Sequence, residues 1–512
     1  MVDYALHYRR KVRTCMKLLR IVLIKPSKYD VNGFVERFNK GFMPNATLNH
    51  IASLTPKKIN DFDIKVYMVD EYVWCNLDYL ELFEFDENYG TLIAFVGVQT
   101  HQFQRALDLA AYAKSQGNNH CVIGGPHVMT CDTSLLQNRG VSFAVSEAEN
   151  VWIEIINDSI QGQLKPLYGL EGRWAPKLKN TIINPPSSEE LRRYWAPMLG
   201  IYPVRGCPYN CNFCSVIKIS GRQVRSESID STMKSLISVK KAGIDTIMFV
   251  SDNFNKYPEV EILLKEIVKA NLGIRYFCQC DSQIADQPDF IELLGRSNCF
   301  EVFVGIESFD RATLKSVNKY HNHPNKYADI VNTCDEFGIR AHFSNIIGFP
   351  NQTVQDINDH IDLLKQLKPK VASFYILTPI PGTDQYDEFQ KNGLINETNL
   401  DRFDATYPTF KHCFLSKDQL LEKLFDCYIQ YNRFLLRNVR MDDETKRLAI
   451  FNRFAAENQM HPMAGGIGRV VIDNLENYLP VRRQYFDIDL APLPNSLRLL
   501  DADTKLNRSA KL

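Results

Sequence analysis

The sequence predicts an α/β protein in which two parallel-sheet blocks follow one another and a mainly helical region comes last. Three observations carry this. Short apolar runs rich in β-branched residues alternate with amphipathic helical patterns, first over residues 15–165 and again over 193–395. A stretch dense in proline, glycine and isolated charge, residues 166–192, reads as a linker between them. From residue 396 to 500 the alternation gives way to helical stripes, and 501–512 is a polar tail.

In the first block, Ile21–Ile24, Ile64–Val69, Leu92–Val98, Cys121–Ile123 and Val141–Val145 read as buried parallel strands. Between the third and fourth, Gln104–Gln116 places Ala106, Leu109, Ala110 and Ala113 on one helical face. Strand, helix and strand joined by short links make a βαβ unit, so a doubly wound open sheet is expected. Such sheets bind ligands beyond the carboxyl ends of their strands. Those ends carry Gln99 and Thr100, then Gly124 and Gly125, then Glu147. Glycine permits close backbone approach, and the other three offer hydrogen bonds, although a Gly-Gly pair after a strand is by itself an ordinary turn.

In the second block, strands are expected near Met198–Val204, Thr246–Val250, Ile274–Gln279, Glu301–Val304, Ala341–Ile347 and Val371–Leu377, separated by helical patterns such as Val260, Leu263, Leu264, Ile267 and Val268. Periodicity supports a second parallel α/β domain, whose chemistry belongs at the carboxyl ends of the strands. Cys278 and Cys280 share one face of the third strand and read as core. Beyond the sheet, Ser416-Lys-Asp-Gln419 reads as a capping box. It opens a helix striped by Leu420, Leu421, Leu424, Phe425, Tyr428 and Ile429, a region expected to pack over the mouth of the second domain and enclose substrate.

Composition excludes several classes. The 512 residues are 45% hydrophobic and 23% charged, ordinary globular material for about three domains. Sixty basic and sixty acidic side chains give a formal net charge of zero, so no global field draws the chain to nucleic acid. Thirteen scattered cysteines do not form a disulfide framework and imply a reducing compartment. The run Leu18-Leu-Arg-Ile-Val-Leu-Ile24 is interrupted by Arg20 and lacks a cleavage site, and no apolar run nears the roughly 18 residues needed to span a bilayer. A cytoplasmic address is expected.

The most specific signal is Arg205-Gly-Cys-Pro-Tyr-Asn-Cys-Asn-Phe-Cys214. Cys207, Cys211 and Cys214 are spaced to hold one cubane iron–sulfur cluster and leave its fourth iron open, whereas electron-transfer ferredoxins close their clusters with a fourth cysteine. Zinc sites show paired CxxC knuckles or a Cys/His set, and neither occurs here. With the aromatic Phe213 before the last cysteine, the run resembles the signature of the radical S-adenosylmethionine superfamily. That resemblance implies a [4Fe-4S] cluster on the three cysteines, with S-adenosylmethionine as the ligand of the open iron.

It also implies a partial (β/α)₆ barrel for the second block, and roles at its strand ends. Ser251-Asp-Asn-Phe254 stands where many members carry a Gly-Gly-Glu run that holds the amino group of S-adenosylmethionine. Asp252 or Asn253 takes that role or caps the next helix. Val304-Gly-Ile-Glu-Ser308 resembles the ribose-contacting strand end, with Glu307 the acceptor, and Asn345-Ile-Ile-Gly-Phe-Pro350, including Ile347, resembles the segment along adenine. Phe213 completes that set.

Upstream of such a barrel, the strand ends bearing Gln99, Thr100, Gly124, Gly125 and Glu147 resemble the flavodoxin-like cobalamin-binding domain of the cobalamin-dependent branch. Val317-Asn-Lys-Tyr-His321 and Pro379-Ile-Pro-Gly-Thr383 also look like segments of that branch. The D-x-H-x-x-G motif that supplies a lower cobalt ligand is absent, and His127 reads as a polar residue at a strand-end turn. Methylthiotransferases are disfavoured because Cys15, Cys75 and Cys121 are too dispersed for their second cluster. The resemblance thus implies a radical C-methyltransferase acting on an unactivated carbon of a lipid or other small metabolite. Its electrons would come from a low-potential flavodoxin- or ferredoxin-type donor. The alternative is cyclisation, coupling or oxidation without methyl transfer.

Overall fold

The computed structural model describes residues 17–84, 89–134, 136, 140–196, 198–463 and 466–470. The expected start of the first block at 15, Cys15, the stretch 471–500 and the tail at 501–512 lie outside the described residues.

The first sheet is built from β1 (Lys17–Lys25), β2 (Phe62–Asp70), β3 (Tyr89–Phe95), β4 (Cys121–Gly124), β5 (Ser142–Ala144) and β6 (Leu167–Tyr168). Spatially they run β2-β1-β3-β4-β5-β6, all parallel, with Lys58–Ile59 antiparallel on the outer edge of β2. Chain direction reverses across the sheet between β1 and β3, which opens a crevice at their carboxyl ends. Both faces are buried. Val22, Ile24, Ile93, Phe95, Ile123 and Phe143 pack on α2 (Phe103–Ser115). Ile21, Leu23, Ala94, Val96, Val122 and Ala144 face α1 (Ala46–Leu54) and α3 (Ala148–Ile160). At about 1.5–3 kcal/mol per buried large aliphatic side chain, this double burial is the main term holding the sheet.

The second sheet holds β7 (Leu199–Ile201), β8 (Thr246–Phe249), β9 (Arg275–Cys280), β10 (Cys299–Glu307), β11 (Arg340–Ile347) and β12 (Val371–Ile376), six parallel strands in chain order. Val302, Val304, Ile306, Phe343, Phe374, Cys278 and Cys280 point to the surrounding helices. The alternate positions therefore face inward. The first strand is shorter than its apolar run because Pro203 breaks it. Val204–Arg205 pairs instead with Arg225–Ser226 in a two-stranded antiparallel ribbon.

Two expectations are corrected. The segment 166–192 is a packed strap: Leu167–Tyr168 is the last strand of the first sheet, Arg173 donates to the Met129 carbonyl at 3.0 Å, and Ile183 is buried in the second core. The helix after Ser416 carries the expected capping box, yet α4 (Lys417–Asn438) lies along β12 rather than over the sheet's mouth. There the Tyr428 hydroxyl accepts from the Phe374 amide at 3.0 Å and lies 3.2 Å from the Phe374 carbonyl, to which His461 Nε2 also donates at 2.8 Å. These bonds satisfy the open edge of the last strand. Among the described residues no helix is long and apolar enough to cross a membrane.

Candidate active site

The loop 206–215 leaves the ribbon through Gly206, whose φ of +102° and a would-be Cβ 2.2 Å from the Gln223 carbonyl leave room only for glycine. Asp252 Oδ2 accepts from the Gly206 amide at 2.7 Å, and Asn253 Nδ2 donates to Cys207 Sγ at 3.1 Å. Further along, the Cys207 amide reaches Gly221 O at 3.1 Å, the Asn212 amide reaches Val317 O at 3.2 Å, and the Tyr209 ring stacks on His321 at 3.6 Å. Burial pushes the Cys211 thiol up to about 11 and Cys214 up to about 12. Cys211 also feels the negative charge of Glu307 and Cys207, and Cys214 that of Cys211 and Cys207, while Lys319 works in the opposite sense on both. Three thiols on one braced loop could serve as the donor set of a cluster, whose binding would displace their protons. Among the described residues no group of three His, Cys, Asp or Glu converges on a single ion, and a cubane holds its thiolates at separate corners.

Beside this loop, a bulge at the end of β10 puts Glu307 in the left-handed region, φ +59°. A non-glycine residue pays about 1–3 kcal/mol to sit there, which marks functional sites. Its Oε1 accepts from Lys319 Nζ at 2.5 Å, and both groups are buried. Gly305 leaves space for that carboxylate, since a Cβ would stand 2.5 Å from Oε1. The Lys319 ammonium is 5.8 Å from the Phe213 ring, so Cys211, Phe213, Glu307 and Lys319 form one constellation. Lys319 was not among the site residues expected from sequence; its signal lay in Val317-Asn-Lys-Tyr-His321.

The side chains of Asn345 and Ile347 stand apart from this constellation. Both turn toward the helix layer: Asn345 is fully buried, donates to Phe343 O and Ser373 O, and lies 2.8 Å from His360 Nε2, while Ile347 joins the outer core. The intervening Ile346, like Phe213, packs against the buried cluster of Val317, Phe349, Leu377, Phe389 and Phe410. Asp252 and Asn253 grip the loop, and Asn253 makes no side-chain cap bond to the helical turn that follows it.

A cavity of about 280 Å³ lies where the two domains meet. Ala94, Val96, Val122, Gly124, Ala144, Val151 and Trp152 line it from the α1 and α3 side of the first sheet, and Tyr202, Arg205, Asp252 and Gln279 from the second. Gly124 and Gly125 are at its wall, but Gly125 is fixed by the backbone alone: φ is +136°, and a Cβ would meet Val98 N at 2.1 Å. Gln99 and Thr100 do not line it. Gln99 is exposed, and Thr100 bonds His127 Nδ1 at 3.2 Å beside Phe103, toward α2. Glu147 borders the cavity with its oxygens already taken by Arg225, at 2.6 and 2.8 Å, and by the Ala175 amide at 2.7 Å.

A family model described as the radical SAM superfamily matches residues 201–364, the span of the loop, the Glu307 bulge and β7 to β11. Over that span the chain carries a radical S-adenosylmethionine domain. Among similar proteins, the bacteriochlorophyllide d C-12(1)-methyltransferase of Chlorobaculum tepidum is 28% identical over 347 residues, covering 65% of this chain and 73% of that protein. The hopanoid C-2 methylase of Rhodopseudomonas palustris is 24% identical, covering 70% and 66%. In fold, the chain is similar to the cobalamin-dependent S-adenosylmethionine radical enzyme OxsB, with a TM-score of 0.60 at 13% identity, covering 87% of this chain and 72% of that one. It is also similar to the radical S-adenosylmethionine methyltransferase TsrM from Kitasatospora setae, with a TM-score of 0.57 at 17% identity, covering 73% and 76%.

Proposed function

We propose that this protein is a cobalamin-dependent radical S-adenosylmethionine C-methyltransferase, with a flavodoxin-like cobalamin domain running to residue 168 and a partial (β/α)₆ barrel for S-adenosylmethionine. One observation carries the reading: the cavity walled by Gly124 on the first sheet is also walled by Arg205 and Asp252, which adjoin and hold the cysteine loop. A single space thus touches both expected cofactor sites. The small and apolar lining on its first-sheet side suits the nucleotide tail of cobalamin, and the chain has no D-x-H-x-x-G run to supply a histidine to cobalt. When bound, the cluster supplies the electron that cleaves the sulfonium of S-adenosylmethionine, and cobalamin carries the methyl group.

The chain's own residues bind and orient. Cys207, Cys211 and Cys214 hold the cluster; Asn253 donates to the first sulfur; Asp252 fixes the loop's entry; Glu307 faces the ribose hydroxyls from its strained position, and Phe213 and Ile346 supply an apolar surface for adenine. Burial of this constellation keeps water from a reactive radical. By analogy with the named relatives, the substrate is a hydrophobic polycyclic compound, and a low-potential donor in the cytoplasm reduces the cluster.

The test is anaerobic incubation of the reconstituted protein with dithionite, cobalamin, S-adenosylmethionine carrying a deuterated methyl group, and a bacteriochlorophyllide or a hopanoid as probe. S-adenosylhomocysteine formed only with cobalamin present, together with 5′-deoxyadenosine and a labelled methyl on the probe, is expected. A protein that cleaves S-adenosylmethionine yet takes up no cobalamin would overturn the methyl-transfer reading in favour of a rearrangement or oxidation.

A further inference from the structure

The ribbon that precedes the cysteine loop contains an arrangement that local preference disfavours. Arg205 and Arg225 are direct cross-strand partners in its antiparallel register. Like charges in that position repel. Both are compensated from the other domain. Arg225 makes a bidentate pair with Glu147, at 2.6 and 2.8 Å. Arg205 makes one with Glu149, at 2.8 and 3.1 Å, and lies 3.5 Å from Glu147. His50 on α1 donates to Glu149 at 2.8 Å, which holds that carboxylate in place. All four charged side chains are at most 15% exposed, so each pair works in a poorly hydrated setting where geometry matters most.

The next residues after Arg205 are Gly206 and Cys207. Gly206 packs directly against Gln223, two residues before the returning strand, and the Cys207 amide donates to the Gly221 carbonyl. The ribbon that the two arginines share is therefore the base of the cluster loop. We infer that Glu147 and Glu149 are positioning residues for the iron–sulfur cluster: docking of the first domain neutralises the paired guanidiniums and thereby sets the loop that bears Cys207. This explains why the Ser146-Glu-Ala-Glu149 strand end carries two carboxylates, a use different from ligand binding. It also explains why both partners are arginine, whose planar fork spans a carboxylate as an ammonium does not. The inference rests on the reading of Cys207, Cys211 and Cys214 as cluster ligands, and not on cobalamin or methyl transfer.

The experiment measures hydrogen exchange on the full chain, reconstituted anaerobically with iron and sulfide, in the wild type and in Glu147→Gln/Glu149→Gln. Amides of 206–215 should exchange at least about tenfold faster in the variant while those of β1 and β3 keep their protection, and bound iron should fall below the wild-type content. The charge-swapped pair Glu147→Arg/Arg225→Glu should bring the loop's exchange back toward wild type, a recovery that simple loss of packing would not give. Wild-type exchange across 206–215 in the double variant would overturn the inference. So would faster exchange spread evenly over the first sheet. If the double variant does not fold, Glu149→Gln alone leaves the Glu147–Arg225 pair intact and should show the same local effect at smaller amplitude; no change there is equally decisive against it. Failure of the cluster assignment itself reads differently, as wild-type protein that binds no iron.

Discussion

Glu307 and Glu147 are both carboxylates just past the end of a parallel strand, one in each sheet, and their surroundings give them opposite uses. Glu147 accepts from two nitrogens of one arginine and a backbone amide, with a second arginine at 3.5 Å. Nothing is left for a ligand. Among the described residues the Glu307 carboxylate has one hydrogen-bond partner, the Lys319 ammonium, on a strained backbone that aims it beside Phe213. A carboxylate at a strand end is thus a binding candidate only when its oxygens are not already committed. The same contrast separates Gly124, which lines the cavity in ordinary contact, from Gly125, which the backbone of Val98 demands.

The strongest way to break this picture lies in the barrel. Replacing Cys207, Cys211 or Cys214 with alanine should abolish 5′-deoxyadenosine formation, because two thiolates cannot hold a cubane with one iron free for substrate. Retained cleavage in any one of the three would remove that cysteine from the site. Next come the glycines. Gly125→Ala combines a φ of +136° with a 2.1 Å clash on backbone and should cost several kcal/mol, read as a lowered melting temperature or no soluble protein. Gly124→Ala has its nearest contact at 3.5 Å and should change stability by no more than about 1 kcal/mol, whereas Gly124→Leu should fill the cavity and prevent cobalamin uptake in a folded protein. Equal destabilisation of Gly124→Ala and Gly125→Ala would show that the two glycines are not distinguished as argued.

Much of this was legible in the sequence, for physical reasons. Strands buried on both faces make continuous apolar runs between turn residues, so the strands of both sheets could be located except the two-residue edge strands Lys58–Ile59 and Leu167–Tyr168, and the cysteine spacing is specific. The same double burial hides which residues face inward. Along β11 every residue but Ile346 is buried, so no alternation shows that Asn345 and Ile347 point outward. Thr100 was misplaced because two cores cover the first sheet and the strand-end loops feed both. The partner of Glu147 is 78 residues away, and no local pattern announces it.

A smaller effect sharpens the comparison at Glu307. Glu307→Ala should leave iron content unchanged and weaken S-adenosylmethionine binding by about 1.5–3 kcal/mol, roughly tenfold or more, through lost charge-assisted bonds. Glu307→Gln keeps an acceptor and should lie between. Unchanged affinity in the alanine variant would mean that the carboxylate serves only to pair with Lys319.

The smallest expected effect concerns His127, the one histidine whose place after β4 makes it a tempting cobalt ligand. Pro126 and Met129 on its short helix line the cavity, but His127 does not. Its ring is buried against Phe103, 4.2 Å between centroids, with Nδ1 at 3.2 Å from the Thr100 hydroxyl. Burial lowers its pKa to about 3, so it stays neutral across the working pH range and no protonation step should appear in the cobalt spectrum between about pH 5 and 8. His127→Ala removes a packed ring and one hydrogen bond, which should lower stability by about 1–3 kcal/mol. The absorption and electron paramagnetic resonance spectra of bound cobalamin should be unaltered in that variant. A shift in either would place an imidazole on the metal and require the loop after β4 to turn over from the α2 side of the sheet to the cavity side.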